Sequence, residues 1–242
     1  MSGHSKWATT KHKKAIIDAK RGKVFTKMAK LVTIAARDGK SGDPMMNPSL
    51  RMAIENAKAA SMPKDNIDRA IQRGIGGGNA AAIEEITYEA YAPGGIALLI
   101  ECLTDNKNRT LGEIKAILNK SSGVLATAGS VGYLFSKIGQ IIIDESKNGQ
   151  KGENLEMVII DSGASDFDKE DDVYIVSCDF SDLHRVRMAL EETGIVVESA
   201  EAVEQAKVLV DASPEKKDSI ISLIDKIEEL DDVSNVFTNL NL

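Results

Sequence analysis

Gly74-Ile75-Gly76-Gly77-Gly78-Asn79 divides this 242-residue chain into two unlike parts. A run so rich in glycine is a flexible linker by composition. It lacks the preceding strand and the Gly-Lys-Ser/Thr ending of a phosphate-binding loop, so it carries no nucleotide chemistry. Charge changes sign across it. Through Arg73 the chain has 16 Lys/Arg against 6 Asp/Glu, and beyond it 14 against 31. The formal net charge of −7 therefore hides a basic segment of +10 joined to an acidic body of −17. Such a split points to a segment that meets a polyanion. The acidic body supplies solubility and is itself repelled by phosphate.

Before the linker the signals are helical. Val24, Met28, Leu31, Val32 and Ala35 recur at helical spacing, and Gly39 offers a stop. Asn47-Pro48 reads as an N-cap followed by proline in the first turn, with Leu50, Ala53, Ile54 and Ala57 as the apolar stripe behind it. A third helix is expected after Pro63-Lys64-Asp65, capped by Asp65, burying Ile67, Ala70 and Ile71 and ending at Gly74. Together these predict a small helical bundle preceded by an N-terminal arm of about twenty residues.

Beyond the linker the period shortens. Residues 87–92 and 95–103 predict two strands joined at Ala92-Pro93-Gly94-Gly95. A helix is expected over 108–119, then a strand pair within 130–145 turning around Lys137-Ile138-Gly139. A helix over 154–161, a strand over 173–179 and a helix over 181–192 capped by Ser181 follow. The reading ends with strands at 195–199 and 206–210, a helix from Ser213-Pro214 to about Leu230, and a strand near 233–238. The fold class is α+β: an N-terminal helical bundle followed by two ferredoxin-like α/β domains, one inserted in the other. The expected boundaries are 1–78 for the basic helical domain with its arm and linker, 79–129 plus 203–242 for the outer α/β domain, and 130–202 for the inserted one.

On a wheel of ~100° per residue, Lys20, Lys23, Lys27, Lys30 and Arg37 share one arc, beside an apolar arc of Val24, Phe25, Met28, Leu31, Val32 and Ala35. Arg21 and Ile34 break this pattern. A lysine row on one helix is usually only a solvated face. Density favours more here, because the first forty residues hold eleven Lys/Arg against two acids. The arm adds Lys6, Lys11, Lys13 and Lys14, with His12 among them and Trp7 as the single tryptophan. Cations neutralise phosphates and release counterions, while an indole or imidazole can stack on an exposed base. The expected nucleic-acid-binding residues are Lys6, Trp7, Lys11, His12, Lys13, Lys14, Lys20, Arg21, Lys23, Lys27 and Lys30. Lysine dominates arginine in this set, which suits phosphate contact over bidentate base reading.

Other chemistries find little support. Cys102 and Cys178 stand alone in apolar runs, which predicts buried free thiols in a reducing cytoplasm and neither disulfide nor zinc. His184 has no nucleophile pattern near it. The acidic run from Asp166 to Asp172 lacks calcium-loop spacing and is expected to be a solvated loop. No apolar run approaches the ~20 residues of a membrane span, and the N-terminus has no signal-peptide pattern. The reading is of a cytoplasmic protein, not an enzyme, with no cofactor, metal or small-molecule substrate.

Several segments resemble the YebC family. They are Gly3-His4-Ser5-Lys6-Trp7, Lys11-His12-Lys13, residues 18–23 and 25–27, Asn47-Pro48, residues 57–59, 62–67 and 69–71, Tyr88-Glu89-Ala90-Tyr91-Ala92-Pro93-Gly94-Gly95, and Gly129-Ser130-Val131-Gly132. Thr9-Thr10-Lys11 stands where the family usually has Asn-Ile-Lys, and Lys14 extends the basic run. The resemblance implies three domains, one α/β domain being inserted in the other. It implies a probable transcriptional regulator binding promoter DNA. It also implies an alternative, because the family includes a mitochondrial translational activator of cytochrome oxidase. In that alternative the partner is the ribosome, and the protein contacts ribosomal RNA and relieves stalling at proline-rich stretches.

Overall fold

The computed structural model describes residues 21–76 and 83–241, with side chains from Val24 onward. Three helices come first: α1 (Arg21–Asp38), α2 (Pro48–Ala59) and α3 (Lys64–Ile75). Their shared core is Val32, Ala36, Leu50, Ile54, Ala57, Met62, Ile67 and Ala70. Asn47 caps α2 through its side-chain oxygen, which accepts from Leu50 N–H at 3.0 Å. Its amide also donates to Ala35 O at 2.8 Å, so one buried residue ends α1 and starts α2.

The third helix departs from expectation at both ends. It begins at Lys64 behind Pro63, with no side-chain cap, and Asp65 lies in its first turn, where a carboxylate favours the helix dipole. It also runs through Gly74 to Ile75. Gly74 is a contact position, because a Cβ there would lie 2.4 Å from Thr33 O and 2.7 Å from the Ala36 Cβ of α1. Gly74→Ala gains ~1 kcal/mol of helix propensity, but the overpacking costs more. The expected result is a net loss of about 1–2 kcal/mol in chemical denaturation. A variant as stable as the parent would show that α1 and α3 do not meet there.

Strands β1 (Glu84–Ala92) and β2 (Ile96–Thr104) form the expected hairpin, in register from Glu84↔Thr104 to Ala92↔Ile96. Helix α4 (Lys107–Lys120), capped by Asn106, leads to the short β3 (Val124–Leu125). Helix α7 (Pro214–Glu228) leads to β8 (Val233–Thr238). The sheet order is β3-β1-β2-β8, with the hairpin in the middle. Ile114 and Leu118 of α4 and Ile220, Leu223, Ile224 and Ile227 of α7 are all buried. With the bundle, these elements make one compact unit: residues 21–76, 83–132 and Ser213–Val236.

The second unit comprises Tyr133–Ala212 and residues 237–241. Its elements are β4 (Phe135–Asp144), α5 (Glu153–Asp161), β5 (Asp166–Glu170), β6 (Val173–Asp179), α6 (Leu183–Glu192) and β7 (Ser199–Ala206). The order β5-β6-β4-β7 with antiparallel neighbours is the ferredoxin-like arrangement.

Here the sequence expectations need four corrections. Residues 130–145 hold one ten-residue strand and no turn at Gly139, which is glycine because a Cβ would sit 2.7 Å from Cys178 Sγ and 3.0 Å from Leu183 Cβ. Asp166–Glu170 is an edge strand, with Phe167 and Lys169 turned toward Tyr174. The next strand is Ser199–Ala206, paired along β4, so residues 203–206 belong to this sheet; 195–199 and 206–210 form no such strands. Val210 makes only a parallel bridge to Leu240. Finally, α6 starts after a 3-10 turn over Phe180–Asp182, with Asp182 in place of Ser181 at its N-cap; its carboxylate pairs with Arg185 at 3.0 Å.

Candidate nucleic-acid interface

Helix α1 presents its buried face, around Val32 and Ala36, to α2 and α3. The lysines beside that face are not free. Lys27 Nζ donates to Glu228 O at 2.8 Å, at the C-terminal end of α7. Lys30 Nζ donates to Leu103 O at 3.1 Å, to Asp231 O at 2.9 Å and to Asp232 Oδ1 at 2.8 Å. Carbonyls at a helix C-terminus lack intrahelical donors and carry partial negative charge, so an ammonium group is stabilised there. Arg37, from the same row, bonds Asp38 and the backbone oxygen of Ile83. The expected open lysine face on α1 is corrected accordingly: Lys27, Lys30 and Arg37 are engaged within their own unit.

Asp232 is the centre of this arrangement. It is 5% exposed and also accepts at Oδ2 from Arg109 at 2.6 Å and from Thr110 at 2.8 Å. Burial pushes its carboxyl up, but the donors from Lys30, Arg109 and Thr110 outweigh burial and hold it at about 2. No sequence motif marked this residue. The only hint was a pair of acids, Asp231-Asp232, directly after a helix end.

Lys6, Trp7, Lys11, His12, Lys13, Lys14 and Lys20 lie outside the described residues, and Arg21 and Lys23 stand at the first turn of α1. Within the bundle, Lys40, Lys58, Lys64, Arg69 and Arg73 are exposed cations that the sequence reading had passed over. Helix α3 follows α2 across residues 60–63. Its exposed side mixes Lys64, Arg69 and Arg73 with Asp65 and Asp68.

Two segments of the YebC resemblance meet in space. The Glu89 carboxylate accepts from the backbone N–H groups of Gly129 at 2.7 Å, Val131 at 2.5 Å and Gly132 at 3.1 Å. Tyr91 adds a bond from its hydroxyl to Ser130 O at 3.0 Å. Burial raises the Glu89 carboxyl, yet these N–H donors bring it below its ordinary value. The loop is an anion nest filled by the protein's own side chain.

Catalytic geometry is not evident among the described residues. Cys102 and Cys178 are free and buried, and burial pushes their thiols up to about 12 and about 11, so neither is an activated nucleophile. His184 is exposed on α6. No three His, Cys, Asp or Glu side chains gather as a metal site among the described residues. No described helix is long and apolar enough to cross a membrane.

Comparison with known proteins agrees with this architecture. Residues 5–77 match the family described as TACO1/YebC protein N-terminal domain, and residues 83–240 match TACO1/YebC second and third domain. A probable transcriptional regulatory protein of Chloroflexus aggregans is 46% identical over 244 residues, covering 100% of this chain and 96% of that one. One of the same description from Bifidobacterium longum is 50% identical over 240 residues, covering 99% and 94%. The crystal structure of a conserved hypothetical protein from Aquifex aeolicus superimposes with a TM-score of 0.86 at 38% identity, over 92% of this chain and 91% of that one. With both halves matched, the chain belongs to the TACO1/YebC family.

Proposed function

We propose that this protein is a non-catalytic, nucleic-acid-binding regulator of gene expression that contacts phosphates through residues 1–23. The observation that carries this reading is the fate of the lysine row. With Lys27 and Lys30 bonded to backbone oxygens, the densest run of remaining cations is residues 1–23, beside the more scattered exposed Lys40, Lys58, Lys64, Arg69 and Arg73 of the bundle. Residues 1–23 hold seven Lys/Arg against the single acid Asp18. Lys6, Lys11, Lys13, Lys14, Lys20, Arg21 and Lys23 supply charge, and Trp7 and His12 supply stacking surfaces. The description of the relatives as probable transcriptional regulatory proteins favours promoter DNA as the target.

A second reading, ribosomal RNA in a translating ribosome, is favoured by one specific feature. The exposed side of α3 carries Asp65 and Asp68 beside Arg69 and Arg73, a poor surface for lying in a DNA groove. Lysines on an arm are better suited to backbone contact with structured RNA. Sucrose-gradient sedimentation of cell extract separates these outcomes. The expected result is protein in heavy fractions that moves to light ones after nuclease treatment. Release by DNase supports promoter binding, and release by RNase supports the ribosome. Protein that stays in light fractions with or without nuclease would overturn the nucleic-acid reading.

A further inference from the structure

Helix α5 carries more apolar surface than its own unit covers. Met157-Val158-Ile159-Ile160 is a run of four apolar residues, longer than one turn of about 3.6, so part of it must face away from the sheet. Leu155 and Ile159 are the buried pair, whereas Met157 and Ile160 stand 62% and 61% exposed. A helix apolar all round is normally enclosed on both sides. Helix α6 adds to the same surface. Its Leu183, Val186 and Leu190 are buried, and Met188 on its outer side is 41% exposed.

The fold sets these three side chains together. Both helices cover one side of the second sheet: Leu183 lies over Gly139, and the Tyr174 hydroxyl donates to Glu156 of α5 at 3.0 Å. Strands β4 and β6 are antiparallel, so the helices that follow them, α5 and α6, run antiparallel as well. The end of α5 meets the first turn of α6, because a Cβ on Gly163 would lie 2.7 Å from Arg185 Nη1. Gly163 follows Ile160 by three residues and Arg185 precedes Met188 by three, which brings Ile160 level with Met188. Exposed apolar residues scattered singly need no explanation, but a row across two helices marks an interaction surface.

Charge narrows the partner. Residues 133–212 hold 7 Lys/Arg against 18 Asp/Glu, a net of −11. Beside the apolar row, Glu153, Asp161 and Glu192 are exposed and form no ion pair among the described residues. The arginines of α6 are already engaged, Arg185 with Asp182 at 3.0 Å and Arg187 with Glu191 at 2.8 Å. Such a rim repels phosphate, and it repels the same rim on a second copy. Two antiparallel helices offer side chains and no free strand edge, so the shape that fits their groove is a third helix.

We infer that the outer face of α5 and α6 is a docking site for an amphipathic basic helix of a partner protein. The apolar side of that helix sits on Met157, Ile160 and Met188, and the unbranched methionines adapt to its side chains. Its lysines or arginines reach Glu153, Asp161 and Glu192, which set orientation and speed the encounter. The site does not rest on the nucleic-acid function, because it uses none of residues 1–23.

The test uses the full-length protein with 13C in its methionine methyl groups. The probe is a peptide of about fourteen residues, four helical turns, in which leucine and lysine are patterned to give one apolar face. Two further peptides have the same composition in scrambled order, and glutamate in place of lysine. The patterned basic peptide is expected to shift the Met157 and Met188 signals and to leave Met45 and Met46, 78% and 77% exposed, in place. Met157→Gln/Ile160→Gln/Met188→Gln should weaken its binding about tenfold. Glu153→Gln/Asp161→Asn/Glu192→Gln should weaken it about tenfold at low salt and less as salt is raised. Met45→Gln/Met46→Gln should bind as the parent does.

Unmoved Met157 and Met188 signals overturn the docking. Equal binding of the scrambled peptide also overturns it, leaving only attraction between opposite charges, and equal binding of the glutamate peptide removes the charge complementarity on which it depends. A dimer of the protein alone, seen in sedimentation and abolished by the Met157→Gln/Ile160→Gln/Met188→Gln variant, overturns it in favour of a second copy. The methyl signals of the unmodified protein keep the test decisive even if a variant folds poorly.

Discussion

Replacing Lys11, Lys13, Lys14, Lys20 and Lys23 with alanine is expected to reduce the steepness of log K against log salt by about 3–5. Each lost phosphate contact removes roughly 0.9 from that slope on duplex DNA and roughly 0.7 on single strands. Near 0.1 M salt the same change costs about two to four orders of magnitude in affinity. The effect is large because these contacts are additive counterion-release events rather than a packed interface. Lys27→Ala and Lys30→Ala should behave differently. Their ammonium groups lie 2.8 and 2.9 Å from Glu228 O and Asp231 O, so their removal should lower stability and leave the salt slope in place. Fluorescence titration across a salt series reads both results. An unchanged slope in the five-lysine variant would remove the arm from the binding mechanism. A slope reduced by Lys30→Ala would extend the binding surface along α1 beyond its first turn.

The contrast between these lysine sets marks where sequence reading succeeds and where it stops. Local chemistry was legible. Asn47-Pro48 announced the start of α2 because both the side-chain acceptor and the missing proline N–H act within one turn. Ala92-Pro93-Gly94-Gly95 announced the β1–β2 turn for a similarly local reason. Long-range partners were not legible. A helical wheel places Lys30 correctly on its arc, but the wheel carries no information about Asp232, 202 residues away. β5 was hidden because its alternation, Asp-Phe-Asp-Lys-Glu, has a charged residue where an apolar one is usual; Lys169 stays exposed on the helix side of the sheet, where Tyr174 and Glu145 receive its ammonium group. β7 was hidden because Ser199–Ala206 is rich in alanine and glutamate; its pairing with β4 outweighs weak strand propensity. In both cases tertiary partners decided the element. The Glu89 nest lay between these extremes. Both of its segments appear among the stretches resembling the family, yet only the fold brings the carboxylate to Gly129, Val131 and Gly132.

Asp232→Ala is expected to be the most destabilising single substitution in the first unit, by about 3–5 kcal/mol, because it strands the charges that the carboxylate now joins. Lys30 is the sensitive partner, its side chain 17% exposed, whereas Arg109 is 46% exposed and can turn to Asp105 and water. Asp232→Asn keeps the shape and one acceptor, so it should cost less and instead alter the pH response. The folded carboxyl sits at about 2, below the ~3.9 of an unfolded chain. A lowered folded value means that the stabilisation is present above about pH 4 and is lost as pH falls toward 2, an amount of about 2–3 kcal/mol. Urea denaturation followed by circular dichroism should therefore show the parent more stable than Asp232→Asn at pH 5, with the gap closing between pH 4 and pH 2. Lys30→Met should lose less than Asp232→Ala, since Arg109 and Thr110 still hold the carboxylate. The double variant should lose less than the two singles combined, because they remove one shared interaction. A constant gap across pH 2–5, or strict additivity, would mean that Asp232 does not join α1 to the sheet through its charge.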